Sequence, residues 1–147
     1  MVDALTPELH QRLLDRYIAD ADADPAESRA LAARYRLLPI FLDWVGFFGL
    51  TVEGQLHFVA WEPPHDAGVV REPHQARVAL AAGAEMYPEL AFLRPRRPPD
   101  AVPCPGCGGT GVVQLDGQVA PPNVICYCGG LGWVPPEEQA TYFSRGA

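Results

Sequence analysis

The sequence predicts an α+β fold: a helix pair on a small antiparallel sheet, followed by a small C-terminal zinc-binding β module. Three observations carry this expectation. Near the start, apolar residues recur at helical spacing, as in Leu9, Leu13 and Tyr17. Further on, strand-like runs flank Glu53-Gly54. Near the end, four cysteines stand in two pairs.

The first helix is expected over residues 6–20. Thr6 suits the N-cap, Pro7 the first helical position, and Glu8 the positive end of the helix dipole. Leu14 and Ile18 widen the apolar stripe of Leu9, Leu13 and Tyr17. An acidic linker, Asp20 to Asp24, follows. The second helix opens with the same signals: Asp24 as cap, then Pro25, then Glu27 three residues after the cap. It carries Leu31, Tyr35 and Leu38, and Pro39 should end it. The two helices are expected to run antiparallel.

Phe47 to Val52 and Gln55 to Trp61 read as the arms of a β-hairpin turning at Glu53-Gly54. In the second arm Leu56, Phe58 and Ala60 alternate with His57, Val59 and Trp61. Glu62 to Gly68 is a loop, Pro73 to Met86 an alanine-rich helix, and Pro88 to Leu93 a short helical turn. Arg94-Pro-Arg-Arg-Pro-Pro-Asp100 is stiffened by its prolines. The boundary falls there, giving an α+β domain over 1–97 and a cysteine-rich module over 98–147.

Composition narrows the function. The chain has 147 residues, 48% of them hydrophobic, enough to bury a core. Its net charge of −7 repels nucleic-acid phosphates. All 11 basic residues are arginine, and none lies between Arg97 and Arg145, so the cysteine-rich module offers no cationic patch. The longest apolar stretch, Leu37 to Leu50, falls short of the roughly 20 residues that span a bilayer, and Pro39 and Asp43 interrupt it. The acidic opening, Met1-Val-Asp-Ala-Leu-Thr-Pro-Glu8, does not resemble a signal peptide. A cytoplasmic protein is therefore expected, with no nucleic-acid or membrane partner. In that reducing compartment clustered cysteines serve as metal ligands rather than disulfides.

The candidate ligands are Cys104, Cys107, Cys126 and Cys128. Zinc takes four ligands in a tetrahedron, and thiolates suit it. Cys104-Pro-Gly-Cys107 can wrap a tight turn that aims both sulfurs at one ion. Glycines just after Cys107 free the backbone N–H groups to turn toward sulfur. Residues 108–125 separate the pairs, a spacer inside the four-cysteine range. Asp116-Gly117 can turn a hairpin that brings the pairs together. Cys126 and Cys128 are expected on an extended strand, where residues two apart share a face. Four thiolates leave no open position for water, which makes the metal structural. One zinc per chain is expected, with iron in a rubredoxin-like site as the alternative.

Cys104 to Gly111 resembles the Cys-x-x-Cys-x-Gly-x-Gly repeat of the cysteine-rich domain of DnaJ-type co-chaperones. Cys126 to Gly132 is similar to a second copy with one residue fewer between its cysteines. That family builds each zinc site from two repeats, so the resemblance implies one site here. Cys104-Pro-Gly-Cys107-Gly is also similar to the knuckle of zinc ribbons and rubredoxins. The likeness covers the module alone, and no His-Pro-Asp tripeptide occurs, so it implies a zinc architecture rather than chaperone activity. Two helices, then Leu38-Pro-Ile-Phe-Leu-Asp-Trp-Val-Gly-Phe-Phe-Gly49, then a hairpin and a late helix resemble the SUKH superfamily over residues 6–93. That likeness implies a bacterial immunity protein that binds a toxin, with Leu38 to Leu42 helical where the residues alone read as irregular chain.

Glu62, His65, Asp66 and His74 form a second candidate group, able in principle to do acid–base work. A polar surface loop is the expected reading, since no catalytic motif surrounds them. His57 is expected to satisfy a hydrogen bond on a strand, and His10 to lie exposed on the first helix. Trp44, Phe47, Phe48, Phe58, Trp61 and Trp133 are expected in the core, any exposed subset marking a binding surface. The function expected is a non-enzymatic zinc-binding adaptor whose partner is another protein. The alternatives are the toxin-binding immunity protein and an enzyme using the Glu62–His74 loop.

Overall fold

The structure, a computed structural model, describes residues 4–23, 25–115, 117–119 and 126–139. The chain divides into two compact units, Met1–Arg94 and Pro95–Ala147, a little N-terminal of the 97/98 boundary read from the sequence. The fold class is α+β.

The first unit opens with α1 (Pro7–Ala19), and the Thr6 side chain accepts a hydrogen bond from the Leu9 N–H, as its cap position requires. Next is α2 (Glu27–Tyr35). Asp24, expected as its cap, lies outside the described residues. Tyr17 near the end of α1 meets Ser28 near the start of α2 at 2.6 Å, and Arg36 just beyond α2 reaches back to Gln11 at 3.0 Å. These cross-links give the antiparallel pair that the sequence implies.

The second helix is shorter than expected. Arg36 takes a left-handed conformation with φ 54°, and the helix ends before Leu38. Leu38 instead begins β1 (Leu38–Leu42), where both an irregular segment and a helix had been the expectations. Pro39 is tolerated because β1 is an edge strand, where a missing N–H costs the sheet little.

β2 (Gly46–Leu50) and β3 (Leu56–Ala60) are the expected hairpin, with Leu50 opposite Leu56 and a longer loop than Glu53-Gly54 alone. The two-residue β4 (Gly68–Val69) completes an antiparallel sheet in the order β1-β2-β3-β4. α3 (Pro73–Met86) and a 3-10 helix (Pro88–Leu93) follow as expected.

The period of two along the strands sorts side chains to opposite faces. Leu38, Ile40, Phe48, Leu50 and Leu56 join the α1 stripe, Ala79 and Leu90 in the larger core. Leu37, Phe47 and Val59 pack with Leu31 of α2 in a smaller one. α3 lies close on β1 at Gly83, where a methyl group would come within 2.9 Å of Ile40 Cβ.

His10 is a correction. Expected on the surface, it is 1% exposed, and its Nε2–H donates to the Leu50 carbonyl at 2.8 Å. It sits on the buried side of α1 beside Leu9, and the carbonyl that its Nε2–H meets belongs to β2.

The second unit contains short elements. β5 (Val102–Pro103) pairs with β8 (Trp133–Val134), and β6 (Gln114–Leu115) pairs with β7 (Gln118–Val119). α4 (Pro136–Glu138) ends the described chain. Gly117 lies between β6 and β7, where a hairpin turn was expected; its neighbour Asp116 lies outside the described residues.

Candidate metal centre

Two glycine-rich loops build the site. The first runs from Cys104 through Cys107-Gly-Gly-Thr-Gly111, the second from Cys126 through Cys128-Gly-Gly-Leu-Gly132. The sheet pair β5–β8 ties the entry of one loop to the exit of the other, and the Cys104 N–H donates to the Gly132 carbonyl at 3.0 Å. Cys126 and Cys128 do not lie on an extended strand, as had been expected. The Gly129 N–H donates to the Cys126 carbonyl at 2.8 Å, closing a turn. The one-residue deficit between these cysteines is absorbed by that tighter turn, and both sulfurs still face the cluster.

The loops repeat each other in detail. Gly111 N–H donates to Cys107 Sγ at 3.2 Å, and Gly132 N–H donates to Cys128 Sγ at 3.3 Å. Gly111 and Gly132 have φ of 78° and 84°, left-handed values that glycine adopts without strain. They also bring the loops together. A methyl group at Gly111 would come within 2.5 Å of the Gly130 carbonyl oxygen, and one at Gly132 within 2.7 Å of that of Gly109. This reciprocal contact is a packing role that the sequence reading did not assign. Its signal was the duplicated Cys-Gly-Gly-x-Gly.

The four sulfurs lie within 4.8 Å of one another. Cys104 and Cys126 are 3.7 Å apart, Cys107 and Cys128 3.8 Å. All four cysteines are free. A tetrahedron of sulfurs around zinc, with Zn–S near 2.3 Å, has edges of about 3.8 Å. The residues therefore fit a four-thiolate metal ion. Cys104 and Cys128 are fully buried, Cys126 nearly so, and Cys107 is half-buried. Burial pushes the Cys104 and Cys126 thiols up. It pushes Cys107 the same way, but there the Gly111 and Gly109 N–H groups favour the thiolate and bring it down to about 7. A cation at the centre would favour all four thiolates together.

Among the described residues, this is the one group of three or more His, Cys, Asp or Glu side chains placed to hold a metal ion. Glu62, His65, Asp66 and His74 are not brought together in such a group. His65 Nδ1–H donates to the Ala60 carbonyl at 2.9 Å, and the His74 N–H donates to Glu72 at 3.1 Å. His57 Nε2 meets Gln55 Oε1 at 2.9 Å, the strand hydrogen bond expected of it.

A cleft of about 730 Å³ in the first unit is lined by Arg16, Tyr17, Asp20, Leu42, Met86 and Tyr87 among others. The Glu62–His74 residues do not line it. Its polar groups are engaged: Arg16 with Glu89, Tyr17 with Ser28, and the Tyr87 hydroxyl donating to the Pro39 carbonyl at 2.6 Å. Burial holds both phenols above their ordinary range, so they stay protonated near neutrality.

Of the six aromatics singled out, Phe47, Phe48 and Trp133 are buried, Phe58 and Trp61 half-buried, and Trp44 exposed. Among the described residues no helix is long and apolar enough to cross a membrane. Compared with protein-family models, curated proteins and solved structures, the chain matches none.

Proposed function

We propose that the chain is a non-enzymatic binding protein whose second unit is folded around one structural zinc ion held by Cys104, Cys107, Cys126 and Cys128. The observation that carries this reading is the sulfur spacing, 3.7 and 3.8 Å across the two loops, close to the edge of a zinc–thiolate tetrahedron. Four sulfurs fill the coordination shell and leave no position for a reacting water. The N–H groups of Gly111 and Gly132 spread the negative charge of two thiolates.

Energetics point the same way. Among the described residues, the buried cluster at the site has, apart from cysteines, Val134, with Val102 and Val113 packed partly against it. So small an apolar centre does not offset the cost of ordering the loops, and metal binding supplies the missing free energy. The resemblance of Cys104–Gly111 and Cys126–Gly132 to two DnaJ-type repeats fits one such site. A closed four-thiolate shell is a standard setting of structural zinc, and free thiols suit a reducing cytoplasm.

Elemental analysis of protein purified without added metal tests this directly. The expected result is one zinc per chain, retained on dialysis and lost with a strong chelator. A metal-free, fully folded second unit would sink the reading. Iron with the colour of a sulfur-to-metal charge-transfer band would replace zinc by the rubredoxin-like alternative.

A further inference from the structure

The chain has three tryptophans, and they have different surroundings. Trp133 is buried in the second unit. Trp61 is half-buried, its ring 5.6 Å from Phe47 and its Nε1–H donating to the Asp43 carbonyl at 2.9 Å. Trp44 is 98% exposed, and its neighbour Val45 is 64% exposed. Both stand at the turn between β1 and β2.

That turn is held firmly. The Asp43 N–H donates to the Gly46 carbonyl at 2.9 Å, and Asp43 Oδ1 accepts from the Val45 and Gly46 N–H groups at 2.9 and 3.1 Å. The Trp61 N–H donates to the Val45 carbonyl at 3.0 Å, which sets the exposed Glu62-Pro63-Pro64 beside the tip. The neighbouring turn is closed too, by the His65 N–H to the Glu62 carbonyl at 2.9 Å. From Leu37 to Val70 the chain carries Asp43, Glu53, Glu62 and Asp66 but no arginine or lysine. A large apolar ring is thus displayed on a hydrogen-bonded turn that contains Asp43, with Glu62 and Asp66 in the loop beside it. Glu53 lies at the far end of the β2–β3 hairpin.

We propose that the Trp44 tip is a docking element for a protein partner that offers an apolar pocket rimmed by arginine or lysine side chains. Burying a tryptophan removes about 150–250 Å² from water, and tryptophan is among the commonest dominant residues of interfaces. A tip already fixed by hydrogen bonds loses little conformational freedom on docking. The acidic rim attracts a cationic partner and steers its approach. The same charges oppose the two other surfaces on which an exposed tryptophan inserts or stacks, an anionic membrane and a nucleic acid. This deepens the binding-protein reading but uses no residue of the second unit, so it stands apart from the metal.

A random peptide display library selected on the full-length chain as purified tests the proposal. Each enriched peptide is then titrated against wild type, Trp44→Ala and Glu62→Arg by fluorescence anisotropy. Enriched peptides should combine apolar residues with arginine or lysine. They should weaken at least about tenfold on Trp44→Ala and less, but measurably, on Glu62→Arg. Trp44 touches no core, so circular dichroism and metal content of Trp44→Ala should match wild type. Peptides that bind Trp44→Ala equally, peptides without cationic residues, or a selection that enriches nothing overturn the proposal. Trp44-dependent binding to phosphatidylserine vesicles or single-stranded DNA, or Trp44-dependent self-association, overturns it as well. A metal-free chain that still shows the Trp44 dependence would strike the zinc reading alone.

Discussion

In the Met1–Arg94 unit, Leu13, Phe47, Ile40 and Leu90 are withdrawn from water on the two faces of a four-stranded sheet. At the candidate metal centre of the Pro95–Ala147 unit, the buried cluster among the described residues consists of three cysteines and Val134. One unit is built around apolar area, the other around four convergent thiols that, on the proposed reading, a metal ion holds together. The first should answer to core volume and be indifferent to chelators. The second should answer to metal and to the backbone freedom of its glycines.

The largest effect expected is that of removing the metal. On the zinc reading this follows from the contribution of structural zinc in small modules, about 10–16 kcal/mol. Chelation, or Cys107→Ser, should expose the amides of residues 101–135 to rapid hydrogen exchange while α1 and α3 stay protected. Exchange rising in α1 and α3 as well would mean that the units fold as one.

The reciprocal change is Phe47→Ala. Phe47 is fully buried against Leu31, Leu37 and Val59, and its truncation should cost about 3–5 kcal/mol. Urea melts followed by far-ultraviolet circular dichroism should show that loss with metal content unchanged. A simultaneous loss of metal would break the contrast between the units.

A smaller effect is expected at Gly132. Alanine there must hold a left-handed φ and push against the Gly109 carbonyl, straining the loop by about 1–3 kcal/mol. Competition with a chromophoric chelator should read metal affinity weakened by about tenfold or more. Unchanged affinity would show that the close approach of the loops does not support the site.

The smallest belongs to the Arg16–Glu89 pair, 2.9 Å apart on the surface of the first unit. The hydrogen bond from Arg16 lowers the Glu89 carboxyl below its ordinary value. A depressed carboxylate contributes stability above the usual range, and that contribution is lost as pH falls through its lowered value. Exposure and salt screening keep it small, so Arg16→Ala should cost less than about 1 kcal/mol. Melting temperatures at low and high salt should converge for wild type and variant. A larger, salt-insensitive loss would point instead to the Arg16 packing over the Tyr87 ring.

Much of this architecture was legible because its signals are local. Thr6 caps α1 through its own side chain, three residues from its donor. Pro73 opens α3, and the alternation after Gln55 marks β3. Leu38 was misread because its spacing from Leu31 and Tyr35 continues a helical stripe. The helix ends at Tyr35, Arg36 takes a left-handed conformation, and Leu37 and Leu38 enter different buried clusters. His10 was misread because the carbonyl that its Nε2–H meets lies on β2, 40 residues away.

The amino-acid order by itself determined the donor set of four thiols, the glycines that free their loops, and the helices and hairpin of the first unit. Those features depend on residues a few positions apart, where bond geometry dictates the outcome. Only the tertiary structure decided how sulfurs 22 and 21 positions apart would pair across the loops, that Cys126 and Cys128 would sit on a turn, and that Trp44 would stand exposed while Trp133 is buried and Trp61 half-buried. Proximity across such separations arises from packing and chain closure, which spacing along a sequence does not encode.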